Sequence, residues 1–587
     1  MSDLEQSLDD YRRSVDRFRW DVPEVFNFGR DVLDRLAADP DRPALLWRSA
    51  GGGERRLSFA DVARESNRFA QLLRSLDVRP GQPVIIMLPR IPEWHIALVG
   101  TLKAGALAIP SSTILRPKDI AYRACHSEAV AIVSIDEQAD AVDAVRDEMP
   151  SVKHYIVCTR DSGGPELDST RGGRAQSGDS QSGSDGSRSQ SNGSPSRSDS
   201  SRSQSNGSRW IDLRTSLEAA SDDDSAGHPT RASDPALVYY TSGTTGPPKA
   251  VLHNHGYTCA QRYTSLLWHG VRAGDRLWTT SDTGWAKAAY GVIFGPWSAG
   301  AEVFLYDGRF EAARELELLA EVAPQVFCAP PTEFRLLVKE DLSKLQLPAL
   351  RECVSAGEPL NPEVIRAWHD ATGLTIRDGY GQTETILLVG NFPGMPVRPG
   401  SMGLPMPGHR VEVIDEAGNA LPPGEVGDIA LFGTPPSLFV EYWKDDEASR
   451  ACRRGEWYMT GDRAYRDDDG YFWFVARSDD LIISAGYRIG PFEVESALIE
   501  HPDVVEAAAV AAPDADRGSI VKAYVVVRDG ASAGPELAKR LQEHVKNTTA
   551  PYKYPRAIEF VDALPKTVSG KIRRIDLRQR AEAEAGD

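Results

Sequence analysis

Cysteine is scarce. Six stand in 587 residues, at Cys125, Cys158, Cys259, Cys328, Cys353 and Cys452. No pair has CxxC spacing or that of a zinc site, so buried or incidental thiols in a reducing compartment are expected. Lysine is scarce too, with 14 among 67 basic residues, and acid outweighs base by 85 to 67. A formal charge of -18 makes nucleic acid and anionic lipid unexpected as bulk partners. With the arginine bias and many short acidic patches, it points to a salt-adapted cytoplasm. Loss of circular-dichroism signal in low-salt buffer is the expected behaviour, and full stability there would remove the idea. No run of about 18 uncharged apolar residues occurs, so no membrane span is expected. The first twenty residues lack an apolar h-region, and their acids argue against a transit peptide, so neither a signal nor a transit peptide is expected. A Ser–His–Asp or Cys–His signature is also missing, so no protein nucleophile is expected.

The length exceeds what one hydrophobic core supports, so at least two domains are expected. Residues 24–160 alternate between helical spacing, as in Asp31–Ala38, Phe59–Leu76 and Glu93–Ala104, and short apolar runs, as in Val84–Leu88 and Ala106–Pro110. That alternation predicts α/β layers around a largely parallel sheet. Residues 161–209 change to Ser, Gly, Asp, Asn, Gln and Arg and repeat SRSQSNGS. They hold almost no apolar side chain and read as a disordered insertion. The α/β pattern resumes after Ala236. A small β-rich subdomain is expected around Gly408–Phe432. A compact α+β pattern follows residue 480, with strands near Val504–Val510 and Lys522–Val527 and a helix at Pro535–Lys546. The fold class is therefore α/β: a large N-terminal domain (1–479) of layered α/β subdomains plus a small β-rich one, then a small mobile α+β domain (480–587).

The segment Tyr239-Tyr240-Thr241-Ser242-Gly243-Thr244-Thr245-Gly246-Pro247-Pro248-Lys249 follows an apolar strand-like stretch. Its glycines let the backbone turn and expose N–H donors, its hydroxyls add neutral donors, and Lys249 adds a point charge. A polyphosphate needs all three. The Walker spacing GxxxxGK[ST] is absent, because Lys249 lies three residues after Gly246 and precedes Ala250. A P-loop NTPase is thereby disfavoured.

Five further motifs follow in order: Ser355-Ala356-Gly357-Glu358-Pro359; Asp378-Gly379-Tyr380-Gly381-Gln382-Thr383-Glu384-Thr385; Thr460-Gly461-Asp462; Arg477-Ser478-Asp479-Asp480 running on to Ala485-Gly486-Tyr487-Arg488; and Pro565-Lys566-Thr567-Val568-Ser569-Gly570-Lys571. With TSGTTGPPK they resemble the adenylate-forming superfamily of acyl-CoA synthetases, luciferases and peptide-synthetase adenylation domains. The resemblance covers nearly the whole chain outside the insertion. SDTGW, YGQTET, AGYRIGP and TAPYKYPR look most like medium-chain acyl-CoA synthetases, AMP-forming acyl-CoA ligases.

The resemblance implies roles by position. ATP would be bound by Thr241 to Gly246 (Ser242, Gly243, Thr244 and Thr245 between them), Lys249, Gly357, Glu358, Pro359, Asp378, Gly379, Tyr380, Gly381, Gln382 and Thr383, with Asp462 on the ribose hydroxyls and Arg477 nearby. Tyr380 offers a flat face to adenine. Glu384, with Thr244, would hold Mg²⁺, and Lys571, Thr383 and Glu384 would be catalytic. Asp479 would be the hinge. Coenzyme A would meet Ala485, Gly486, Tyr487, Arg488, Arg517, Tyr552, Lys553 and Tyr554. Ala485 stands where the related motif usually has Ser, which removes a hydroxyl from that set.

The implied chemistry activates a small-molecule carboxylic acid with ATP as an acyl-adenylate and passes the acyl group to coenzyme A. Gly381 and Trp285 are expected to line the acyl pocket. Acetate-specific relatives carry Trp at the position of Gly381, so glycine is expected to leave room for a medium-chain, branched or aryl acid. Each buried methylene is worth roughly 0.8 kcal/mol. Gly381→Trp is then expected to shift preference toward acetate or propionate. The alternatives are a short-chain or aromatic acid–CoA ligase, an adenylation enzyme loading a carrier protein (no GxDSL segment is present), and a non-catalytic nucleotide-binding scaffold, which acid-dependent pyrophosphate–ATP exchange would exclude.

Overall fold

The structure is a computed structural model that describes residues 3–160, 210–223, 227–241, 247–485, 487–514, 517–528, 530–566 and 572–586. The Ser-rich stretch 161–209, the loop 242–246, Gly486 and 567–571 lie outside the described residues.

Two large sheets carry the N-terminal part. One has eight strands in the order Glu441–Tyr442, Lys249–Asn254, Pro235–Thr241, Leu107–Pro110, Pro83–Met87, Ala131–Ile135, His154–Cys158 and Trp210–Asp212. From Pro235–Thr241 through Trp210–Asp212 its pairs are parallel. Pro83–Met87 and Ala131–Ile135 are buried at every position, which is why they read as continuous apolar runs. Helix Phe59–Ser75 starts at a capping box between Ser58 and Asp61 and turns Phe59, Val62, Phe69 and Leu73 inward. Helix Pro92–Lys103 has Pro at its first turn and is buried nearly all round.

The second sheet has nine strands: Leu404–Pro405, Ile386–Gly390, Ile376–Gln382, Glu352–Ala356, Val326–Ala329, Arg276–Thr279, Glu302–Tyr306, Pro43–Arg48 and Glu54–Ser58. Its six central strands are parallel. The carboxyl ends of the two sheets meet. Thr283 Oγ1 donates to Leu88 O at 2.6 Å, and Ser112 Oγ donates to Asp282 Oδ2 at 2.9 Å. Gly284 is required there: a Cβ would lie 2.1 Å from the Ser112 amide nitrogen. In open α/β sheets the crevice beyond the carboxyl ends is where ligands bind.

A five-stranded antiparallel sheet follows, built from Val411–Ile414, Gly427–Phe432, Arg453–Arg454, Trp457–Arg466 and Phe472–Arg477. The expected β-rich region matches its first two strands. The C-terminal part has a two-stranded ribbon (Ile482–Ser484 with Tyr487–Ile489) and a three-stranded sheet (Val504–Asp514, Gly518–Val527, Ala557–Phe560) with helices Pro491–Glu500, Pro535–Thr548 and Arg574–Gly586. It has its own apolar cluster around Val494, Leu498, Val521 and Leu541. Among the described residues no helix is long and apolar enough to cross a membrane.

Candidate active site

Three of the expected ATP motifs meet at one place. Strand Trp457–Arg466 pairs with Phe472–Arg477 so that Asp462 lies opposite Arg477. Asp462 is buried, and its Oδ2 accepts from the Tyr380 hydroxyl at 2.6 Å and from Gln382 Nε2 at 2.8 Å. Gln382 also donates to Thr460 O at 2.7 Å and accepts from the Tyr458 hydroxyl at 3.1 Å. These contacts fix the plane of the Asp462 carboxylate. Burial, then the charge of Asp462, pushes the Tyr380 phenol well above its ordinary range, so it stays a donor. Burial pulls the Arg477 guanidinium down, but Asp462, Asp479 and Asp480 outweigh it.

Thr383 and Glu384 sit on the turn between strands Ile376–Gln382 and Ile386–Gly390. The turn is held from several directions. Thr385 N donates to Gln382 O at 3.2 Å, Phe439 N to Glu384 O at 2.7 Å, and His253 Nε2 lies 2.9 Å from Thr383 O. Ile386 takes φ 63° to close it. The Glu384 carboxylate accepts from the Tyr442 hydroxyl at 2.8 Å, and Lys249 Nζ lies 4.7 Å from the centre of the Tyr442 ring. Burial raises the Glu384 carboxyl, opposed by Tyr442 and by the charges of Lys249 and Arg477. The lysine that ends the phosphate-loop motif and the candidate metal ligand thus share one aromatic neighbour. Thr241 ends the strand leading into that loop. Ser242, Gly243, Thr244, Thr245 and Gly246 lie outside the described residues.

At the ends of neighbouring strands, Gly357 has φ 113° with open space where a Cβ would point, and Pro359 is half-buried beside it. Glu358 accepts from Thr332 Oγ1 at 2.7 Å and pairs with Arg335. Asp378 is buried, and burial drives its carboxyl well above the usual range. Gly379 lets Trp268 approach, where a Cβ would come within 2.7 Å of the indole. Trp285 is half-buried in the loop that joins the two sheets.

Gly381 carries a backbone constraint that the sequence does not show. A Cβ there would lie 1.9 Å from Ile386 O and 2.6 Å from its carbonyl carbon. The pairing register shifts between Tyr380 and Gly381, and the opposing backbone occupies the side-chain position. Close strand approach is by itself a reason for glycine here. Gly381→Ala is therefore expected to lower the melting temperature and the activity toward every acid together. A folded Gly381→Ala variant with an unchanged melting temperature would overturn that.

Asp479 ties the C-terminal candidates to this cluster through Arg477. Ala485 has φ 48° and its N–H donates to Arg517 O at 3.1 Å. Tyr487 and Arg488 are exposed, and the Tyr487 ring stacks on Tyr552 at 4.4 Å. Lys553 pairs with Glu493, and Tyr554 accepts from Arg556 at 2.9 Å. Asp479 takes an ion pair from Arg477 at 3.3 Å, and its carbonyl accepts from Arg578. Gly486 and Lys571 fall outside the described residues. Tyr442, Tyr458 and His253 were missed from sequence. Only their distant contacts with residues 382–384 mark them, and no local pattern does.

A two-sheet α/β body joined to a five-stranded sheet by the Tyr380–Asp462–Arg477 cluster, followed by a small α+β unit, defines a nucleotide-binding enzyme architecture. The AMP-binding enzyme family model matches residues 33–443, and the AMP-binding enzyme C-terminal domain matches 493–571. The chain belongs to the AMP-binding enzyme family. It is 42% identical over 589 residues to the mitochondrial acyl-coenzyme A synthetase ACSM3 of Mus musculus, covering 98% of this chain and 94% of that one. It is 43% identical over 563 residues to the uncharacterised acyl-CoA ligase YtcI of Bacillus subtilis (strain 168), covering 96% and 97%. Among solved structures, the anthranilate CoA ligase AuaEII in complex with anthranoyl-AMP superposes with a TM-score of 0.82 at 28% identity, over 96% of this chain and 99% of that one.

Proposed function

We propose that the chain is an AMP-forming acyl-CoA synthetase acting on a medium-chain, branched or aryl acid. The observation that carries it is the union of Tyr380, Gln382, Asp462 and Arg477 in one cluster, with Glu384 and Lys249 sharing Tyr442 beside it. The acid's carboxylate oxygen attacks the α-phosphorus of ATP, and the bond to the β-phosphate breaks to release pyrophosphate. The thiol of coenzyme A then attacks the acyl carbonyl, loses its proton, and AMP leaves. Each step joins or separates anions, so positioned charge and donors do the catalytic work. Asp462 holds the ribose, Tyr380 stacks on adenine, and Thr383 donates to the α-phosphate.

Among the described residues no three His, Cys, Asp or Glu side chains gather as a metal site. The half-buried carboxylate of Glu384 suits Mg²⁺, which takes one or two protein carboxylates and completes its shell with phosphate oxygens and water. The ion supplies charge neutralisation when bound. Residues 1–479 and 480–587 form the two domains, and the second rotates about Asp479 to bring first Lys571 and then Gly486 to the site. The neighbouring anthranilate and benzoate CoA ligase structures favour including aryl acids. A cytoplasmic setting and a salt requirement complete the proposal.

Acid-dependent exchange of pyrophosphate into ATP is the test, followed by CoA-dependent AMP release across acids from acetate to dodecanoate with branched and aryl members. The expected result is exchange with a preference for the longer, branched or aryl acids. Exchange that needs no acid would overturn the proposal, and best activity on acetate would overturn its substrate class.

A further inference from the structure

Strand Lys249–Asn254 follows the phosphate-loop motif in sequence and meets the Thr383–Glu384 turn at two points, one indirect and one direct. At its start Lys249 reaches Glu384 through Tyr442. Four residues on, His253 reaches the turn itself. Its ring is fully buried and stacked on Tyr257 at 3.7 Å with 27° between the planes. Nε2 lies 2.9 Å from Thr383 O, and Nδ1 has no hydrogen-bond partner among the described residues. A carbonyl only accepts, so the proton sits on Nε2 and the ring donates. No other hydrogen bond to the Thr383 carbonyl is seen among the described residues.

Resting on the proposed function, we propose that His253 is a positioning residue for acyl-adenylate formation: its Nε2–H fixes the Thr383 peptide, and with it the Thr383 hydroxyl and Glu384 carboxylate, relative to the phosphate-loop strand. The link matters because two groups that act on one polyphosphate come from chain segments some 130 positions apart. A shift of a fraction of an ångström between them misaligns the in-line displacement. Thiolysis of a finished acyl-adenylate makes no demand on that alignment.

Three variants test it. His253→Gln keeps a donor near the position of Nε2, while His253→Leu and His253→Phe fill the space without one. Pyrophosphate–ATP exchange, thiolysis of supplied acyl-adenylate and thermal melting are measured for each. His253→Leu is expected to lower kcat for exchange about 10- to 100-fold, the range seen when a group orienting a ligand-binding residue is removed. KM for ATP and the thiolysis rate should stay within about threefold. His253→Gln should recover most of the exchange rate at a melting temperature no higher than that of His253→Leu. If His253→Leu does not fold, His253→Phe takes its place. Exchange within about twofold of wild type in a folded donorless variant, an equal fall in both half-reactions, or a folded His253→Gln as slow as the donorless variants would overturn the assignment. A wild-type chain without acid-dependent exchange would instead overturn the proposed function.

Discussion

Replacing Lys571 by alanine is expected to suppress acyl-adenylate formation by about a thousandfold or more, the scale of losing a preorganised charge at a transition state. Thiolysis of supplied acyl-adenylate is expected to survive within about tenfold. The reason is electrostatic. In the first half-reaction a carboxylate approaches a tetra-anionic polyphosphate, and Lys249 and Arg477 are the described cations near Glu384. In the second, a thiol meets a carbonyl whose leaving group already carries its charge. In sequence Lys571 immediately precedes Ile572, which forms an antiparallel bridge with Lys566, and Arg573 N donates to Pro565 O at 2.9 Å. The last helix starts at Arg574, which grips Glu495 at 2.7 Å, while Arg578 holds Asp480 at 2.9 Å. Asp480 is therefore tied to the C-terminal unit, and a rotation that carries Lys571 must turn on residues before it. Half-reactions measured separately decide the matter. Equal loss of both would refute the division of labour.

The main elements were legible because each rests on local pattern. Phe59–Ser75, Pro83–Met87 and Pro92–Lys103 lie within two residues of the ranges that periodicity predicts. The strand Val504–Asp514 continues past the predicted Val510 because its hairpin partner Gly518–Val527 pairs along its whole length. The tight approach at Gly381 was not legible. It depends on a register shift against a strand five residues on, and sequence shows only a glycine in a polar run. The contacts of Glu384 with Tyr442 and of Thr383 with His253 span the gap between sheets, and no periodicity encodes them. Glu315 is a different case. In Ala312–Val322 it shares the face of Leu318, Leu319 and Val322 by i, i+3, i+4 and i+7 spacing, so an acid on an apolar stripe was readable.

Glu315→Gln is expected to stabilise the protein at alkaline pH and to leave it nearly unchanged at pH 5. Glu315 is 1% exposed, and its Oε2 has no hydrogen-bond partner among the described residues. Burial, then the charge of Glu333, pushes its carboxyl up to about 8, with Arg90 and Arg314 opposing. Burial likewise pushes Glu333 up to about 7 although Thr280 donates to it. The two interact, so the protons leave as a pair. An unfolded glutamate ionises near its ordinary value of 4.5. Between that value and about 8 the unfolded chain binds fewer protons than the folded one, so stability falls as pH rises through this window and levels off above it. Glutamine has no proton to lose, and its variant should show a flatter dependence. The gain above pH 8 is about 2–4 kcal/mol, allowing for relaxation around a buried charge. Melting curves from pH 5 to 9 for both proteins read this out. A Glu315→Gln variant whose melting temperature declines with pH as steeply as the wild type would place the buried proton elsewhere.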